Sequence, residues 1–316
     1  MPLIHEPSLF TLLILSAFGM LPSMSILSPL YPYLLWPVSS PSDASKTMPI
    51  LTVATYLAPA APAFSFLISL LVAPLIGSFL GVLIYRIPRS LPIGMARSRC
   101  DTCKTSLKPI NLLPIFSYIF QRGRCARCSA PIGRFHVTVE LAAVLVPSSL
   151  AVAAFLQSVY YPDVFFWADC ILGWVLLALA WIDTHSLRLP DIFTLPLILT
   201  GLALSLLDAA TVLTPTLTDR VVGVVLGWAA FTLLDLVYRA IRKRRGLGGG
   251  DAKLFAAGGA WLGAEALPSI ALIAAIIGLT AALATSLCGK PLSTRTRLPF
   301  GPCLAMAIWL CVLGGA

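Results

Sequence analysis

The sequence predicts an all-α polytopic membrane protein, with about eight transmembrane helices and one cytoplasmic four-cysteine loop. Three observations lead there. The 316 residues are 58% apolar and only 11% charged, with a mean hydropathy of +0.92, whereas a soluble domain carries about 25% charged residues. Apolar runs recur at the length of a bilayer crossing, roughly 20 residues. Lys and Arg gather in a few of the intervening loops and leave the others bare. The net charge of +9 therefore forms no soluble basic face of the kind that nucleic acid requires. The expected environment is the lipid bilayer, with no nucleic-acid partner.

From the N-terminus, residues 9–36 are hydrophobic and broken by prolines, with only His5 and Glu6 ahead of them. A secretory signal starts with positive charge, so this stretch reads as an extra span or an interfacial segment. Residues 37–49 (PVSSPSDASKTMP) read as a polar linker. Spans are expected at 62–84, 137–157, 164–182, 192–208 and 220–238, then at 252–264 joined to 268–288 by a tight turn, and at 299–315. Three units follow: 1–61, the extension and linker; 62–157, a span, the cysteine loop and the next span; and 158–316, the remaining membrane helices.

The loops are of two kinds. Residues 85–136 hold ten Lys/Arg against the single acid Asp101. Arg239, Arg242, Lys243, Arg244 and Arg245 fall in a second loop, with Lys253 just inside the span that follows it. Lys290, Arg295 and Arg297 precede the last span, and Arg188 lies after 182. Together these are 20 of the 22 basic residues. The loops near 158–163, 209–219 and 265–267 hold none, apart from Arg220 at one border. If spans alternate in direction, every basic segment lies on one side, and the positive-inside rule makes that side cytoplasmic.

Cysteine usage divides in two. Cys170, Cys288, Cys303 and Cys311 lie singly in or beside spans, as small apolar residues do. Cys100, Cys103, Cys125 and Cys128 form C-x2-C-x21-C-x2-C. Each C-x2-C hairpin aims two thiolates at one point, which suits a tetrahedral structural Zn2+ site. A pair of disulfides is the rival, disfavoured in a reducing cytoplasm. The metal would fold a loop with little apolar core of its own. Between the knuckles, I-F-S-Y-I-F clusters its aromatics, Phe116, Tyr118 and Phe120, as for packing onto the membrane face.

Carboxylates inside a membrane are functional candidates, because each costs roughly 2.5–3.5 kcal/mol to insert. Asp183 ends the run ILGWVLLALAWI, and Asp191 opens the next span after Pro190. Asp191 also fits an ordinary helix-N-terminal charge. Asp251 follows a glycine-rich stretch, R-G-L-G-G-G-D, in which Gly248 and Gly250 allow close backbone approach. By topology Asp183 and Asp251 share one depth. Two neighbouring carboxyl groups that share a proton are what an aspartic protease needs. For the other groups the plainer roles are expected: hydrogen bonding between helices for Asp169 and Asp235, helix capping for Glu140 in preference to orienting the cysteine loop, a solvated loop position for His185 in preference to tuning Asp183, and snorkelling to the interface for Lys253.

At these residues the chain resembles the bacterial prepilin peptidase (type IV leader peptidase) family, over roughly 74–312. The resemblance rests on P-L-I-G-S-F-L-G-V-L-I-Y-R-I-P (74–88), the two knuckles, W-I-D-T-H-S-L-R-L-P-D-I-F-T-L-P-L (181–197), G-L-G-G-G-D-A-K-L-F-A-A-G-G-A-W-L-G (246–263) and L-P-F-G-P (298–302). It implies a GxGD-type membrane aspartic protease with Asp183 and Asp251 as the catalytic pair. It further implies cleavage of prepilin or pseudopilin leaders at the cytoplasmic face of the bacterial inner membrane. Members bearing the cysteine loop commonly also N-methylate the new N-terminus with S-adenosylmethionine, so 62–157 is expected to serve methylation and 158–316 peptidolysis. The chain departs from the family pattern at 133–140 (G-R-F-H-V-T-V-E) and at Gly81, where Asn is common, and carries 60 extra N-terminal residues. The alternatives are a peptidase without methyl transfer, an ion-coupled transporter built on the glycine-rich helix break, and a membrane-tethered zinc module that binds nucleic acid.

Overall fold

The computed structural model describes residues 60–93, 100, 102–106, 113–157, 162–207, 215–243, 248–288 and 299–315. The hydrophobic stretch 9–36 and the linker 37–49 lie outside the described residues. Apolar runs bounded by Pro, Gly and charged residues become helices in the predicted order: α1 (Ala60–Arg86), the short α2 (Phe116–Phe120), α3 (Phe135–Gln157), α4 (Asp163–Ser186), α5 (Asp191–Leu207), α6 (Leu217–Arg242), α7 (Gly249–Leu262), α8 (Leu267–Leu287) and α9 (Gly301–Gly314). No strand occurs among the described residues; one isolated bridge pairs Arg124 with Pro131. The chain is a membrane protein. Among the described residues, five helices (α1, α3, α4, α6 and α8) are long and apolar enough to cross a bilayer.

Helix ends carry local reasons. Thr216 accepts a hydrogen bond from the Asp219 N–H at 3.2 Å, a side-chain cap for α6. α8 and α9 begin with a proline in the first turn, where no N–H is missed. α4 stops at Leu187, whose left-handed backbone (φ 51°) returns its N–H to the Asp183 carbonyl at 2.9 Å.

α4 is the central helix, buried along most of its length, and α1, α3, α5 and α9 pack around it. α7 is enclosed by α5, α6, α8 and α9. The outer faces of α1, α6 and α8 expose leucines such as Leu71, Leu233 and Leu279, as lipid-facing surfaces do. Helices meet without a hydrophobic drive between them, so contact relies on small residues and hydrogen bonds. A Cβ on Gly77 would lie 2.6 Å from the Glu140 Cα, and one on Gly223 would lie 2.6 Å from the Gly259 carbonyl oxygen. α1 therefore seats against α3, and α6 against α7, backbone to backbone. Trp174 donates to the Ala143 carbonyl at 2.9 Å, joining α4 to α3. Trp261 donates to the Leu197 carbonyl at 2.8 Å, joining α7 to α5. At the same end of α6, buried Arg220 donates to the carbonyls of Gly201, Ala260 and Trp261 at 2.8–3.1 Å.

One plain expectation is corrected here. α3 begins at Phe135, which makes Glu140 its sixth residue and too deep to cap it. Its buried carboxylate instead accepts the Ile115 N–H at 2.7 Å, so Glu140 anchors the cysteine lobe to the membrane helices. Glu140→Ala is expected to leave that N–H without its acceptor, at a cost of about 1–3 kcal/mol. Hydrogen exchange at Ile115–Ser117 should accelerate while the cysteine cluster persists. Asp235, expected to bond between helices, also pairs with Arg239 one turn along its own helix.

Candidate active site

Both acidic candidates sit at the basic end of the bundle. Asp183 occupies the last turn of α4 and is buried. The Gly301 N–H, at the start of α9, donates to Asp183 Oδ2 at 3.0 Å. A Cβ on Gly301 would stand 2.7 Å from that same oxygen, so only glycine lets the backbone donor approach. Asp251 lies in the first turn of α7, also buried, and its Oδ2 accepts the Gly248 N–H at 3.2 Å. One oxygen of each carboxyl is thus fixed by a backbone donor.

The two carboxyls line one open cavity of about 610 Å³ and lie within electrostatic range of each other. Such a volume suits a small ligand or a few residues of a peptide. Four elements meet there. The turn after α1 supplies Ile87, Pro88 and Ser90, the end of α4 supplies Ile182 and Asp183, the α4–α5 loop supplies Arg188 and Leu189, and the start of α7 supplies Gly248–Asp251 and Lys253. Gly250 is where close approach is required, since a Cβ there would meet Leu189 Cβ at 2.8 Å.

α7 has 14 residues, which span ~21 Å, against a hydrocarbon core of about 30 Å. Its far end turns at exposed Glu265 and continues into α8. At its other end, Asp251 faces the open cavity.

Asp191 starts α5 and is half-exposed; Lys253 Nζ reaches it at 2.6 Å. Lys253, expected to snorkel, ties α7 to α5 beside the cavity. His185 belongs to the last turn of α4, with Nδ1 2.9 Å from the Trp181 carbonyl oxygen, rather than to a loop. Sequence reasoning missed Gly301, the Lys253–Asp191 pair and the Ile87–Ser90 wall. The only signal for Gly301 was its place in L-P-F-G-P. Gly301→Ala is expected to displace the Asp183 carboxyl. A misplacement of about 1 Å lowers turnover by ~10²-fold, which a peptide-cleavage assay on the folded variant would register.

The four loop cysteines converge. Sγ of Cys100, Cys103, Cys125 and Cys128 all lie within 4.8 Å of one another, and Cys100 Sγ is 3.8 Å from Cys128 Sγ. A tetrahedral zinc with bonds of ~2.3 Å needs sulfurs about 3.8 Å apart. The two knuckles repeat one backbone pattern. The Cys100 N–H bonds the Thr105 carbonyl at 3.0 Å, and the Lys104 N–H bonds the Cys100 carbonyl at 2.9 Å. In the second, Cys125 bonds Ala130 at 2.8 Å and Ser129 bonds Cys125 at 2.9 Å in the same way. Lys104 and Ser129, each following the second cysteine, are both left-handed at φ 56°. The Thr105 hydroxyl, then its backbone, holds the Cys103 thiol down to about 6. Backbone N–H groups of Cys128 and Arg127 lower Cys125. Against a backbone bond from Ala130, burial and the thiols of Cys125, Cys103 and Cys100 push Cys128 up to about 11. Thiolate is thus available for a cation, and the donor set fits a four-sulfur metal site.

Comparison with known proteins gives this geometry its context. Sequence models of two families match the chain: "Bacterial Peptidase A24 N-terminal domain" over residues 71–155 and "Type IV leader peptidase family" over residues 170–283. A protein of Aeromonas hydrophila named prepilin leader peptidase/N-methyltransferase is 33% identical over 283 residues, covering 82% of this chain and 94% of its own. The chain belongs to the type IV leader peptidase family. A protein of the same name from Dickeya chrysanthemi is 37% identical over 273 residues, 78% of this leader peptidase and 93% of its own length. One from Escherichia coli O78:H11, named type 4 prepilin-like proteins leader peptide-processing enzyme, is 33% identical over 253 residues, 73% of this chain and 87% of its own. No solved structure matches this leader peptidase significantly. In this family member the boundary between the two matched regions falls between α3 and α4.

Proposed function

We propose that this protein cleaves the leader peptides of prepilins or pseudopilins at the cytoplasmic face of the bacterial inner membrane, and N-methylates the new N-terminus. The observation that carries the peptidase reading is the pairing of Asp183 and Asp251 in one water-accessible cavity, each with one oxygen held by a glycine N–H. The ionised partner takes a proton from water as the water oxygen attacks the scissile carbonyl. The protonated partner donates to the carbonyl oxygen, giving a tetrahedral diol; as its C–N bond breaks, the proton taken from water passes to the leaving amine and a diol hydroxyl returns a proton to the second carboxylate. The two exchange protonation states within one turnover and titrate as a pair. Gly248 and Gly250 support the catalytic turn, and Asp191 holds Lys253 beside it.

In this reading, 158–316 performs peptidolysis and 62–157 serves methyl transfer, with S-adenosylmethionine as methyl donor. The four-cysteine site would hold Zn2+, whose contribution is structural: it joins the two knuckles and keeps the lobe folded. The basic loops beside the cavity support a cytoplasmic position for it.

Purified protein in detergent should shorten a prepilin and then transfer labelled methyl from S-adenosylmethionine to the cleaved product. Shortening without label would establish the peptidase alone. Absence of both would remove the proposal.

A further inference from the structure

We propose that the tip of the cysteine lobe is a membrane-docking surface that takes anionic phospholipid headgroups. α2 exposes Phe116 and Ile119, each at 63%, and Phe120 at 83%, with Leu113 just ahead at 48%. Positions 116, 119 and 120 share one face of a helical turn. Tyr118 points elsewhere and packs under Gly123, whose added Cβ would lie 3.0 Å from the tyrosine ring. The apolar face is therefore held in shape by the folded lobe.

Exposure alone would suit a protein partner equally well; the height of this face decides for lipid. Ile115, directly before α2, is bonded to Glu140 at 2.7 Å. Glu140 is five residues beyond the start of α3 at Phe135, about 7 Å along the helix at 1.5 Å per residue. Arg134 precedes α3, Arg86 ends α1 and Arg89 lies in the turn that follows it, and such cations mark the headgroup level. The anchor thus lies at or beneath that level, and α2 leaves from it.

Charge supplies the complement. Exposed Arg122 and Arg124 follow α2 and line, together with Phe120, one shallow open cavity on the lobe. The sequence holds no Asp or Glu from 102 to 139, so no acid of this segment neutralises them. Aromatic side chains in the interface beside guanidinium groups on phosphate are the two elements of interfacial anchoring. Docking would hold the lobe against the leaflet, where α1 and α3 leave the membrane.

The test uses the full-length, metal-loaded protein in phosphatidylcholine nanodiscs with and without phosphatidylglycerol, followed by hydrogen exchange of residues 113–124. Phosphatidylglycerol should slow that exchange by about fivefold for each engaged cation. R122Q/R124Q should abolish the increment, and F116S/F120S should lower protection in both lipids, each with metal retained. If F116S/F120S loses metal, the exposed arginine pair decides alone. Equal exchange in both lipids and in detergent would overturn the proposal. So would protection that appears only on adding a prepilin, which would assign the face to substrate.

Discussion

Asp183→Asn and Asp251→Asn are each expected to lower prepilin cleavage by roughly 10²–10⁴-fold, the range lost with a general acid–base group. The amide is isosteric and keeps a carbonyl oxygen for the Gly301 or Gly248 N–H, so the helix ends should hold their geometry. What disappears is a group able both to accept and to release a proton. Because the two carboxyls act as a unit, the double variant should be little worse than either single one. Methyl transfer to a substrate supplied already cleaved should persist in all three variants, and this separates lost chemistry from lost folding. Cleavage near the wild-type rate in either single variant would rule out the pair as the catalytic machinery.

The sequence carried the helix order because each apolar run ends at a strong local signal: Pro190–Asp191 before α5, the glycine stretch before α7, Pro302 in the first turn of α9. It also carried the cysteine cluster, since C-x2-C spacing constrains where thiols point whatever surrounds them. The contacts between helices were less legible. Lys253 meets Asp191 across 62 positions, and Gly301 meets Asp183 across 118; such pairings depend on how helices dock, which no local pattern encodes. Glu140 offered two roles, capping α3 or orienting the cysteine loop, and the choice turns on whether α3 starts before it or at it. Asp235 was within reach of sequence reasoning, since the i, i+4 spacing to Arg239 is the standard helical ion pair.

Cys100→Ser should release the metal and melt the lobe while sparing the peptidase. Apart from the Glu140 anchor, the lobe's order rests on two knuckles and the packing around them. Among its described residues only Pro114 and Cys125 are buried. A structural zinc contributes an apparent 10–16 kcal/mol or so to small folds of this kind, more than so thin a core supplies. Three sulfurs and a serine hydroxyl leave the fourth position with a much weaker ligand. Metal content should fall from about one ion per chain, and hydrogen exchange should quicken through residues 100–134 yet stay slow in α4 and α7. Methyl transfer should be lost. Cleavage should survive, because Asp183, Asp251 and their glycine donors lie on α4, α7 and α9, and the Ile87–Ser90 wall is tied to α1 by the Arg86–Pro92 and Arg89–Tyr85 hydrogen bonds. Unchanged metal content in Cys100→Ser would mean that the metal is held elsewhere. Cleavage lost together with methyl transfer would mean that the lobe serves both reactions, and the division of labour between the two matched regions would then have to be abandoned.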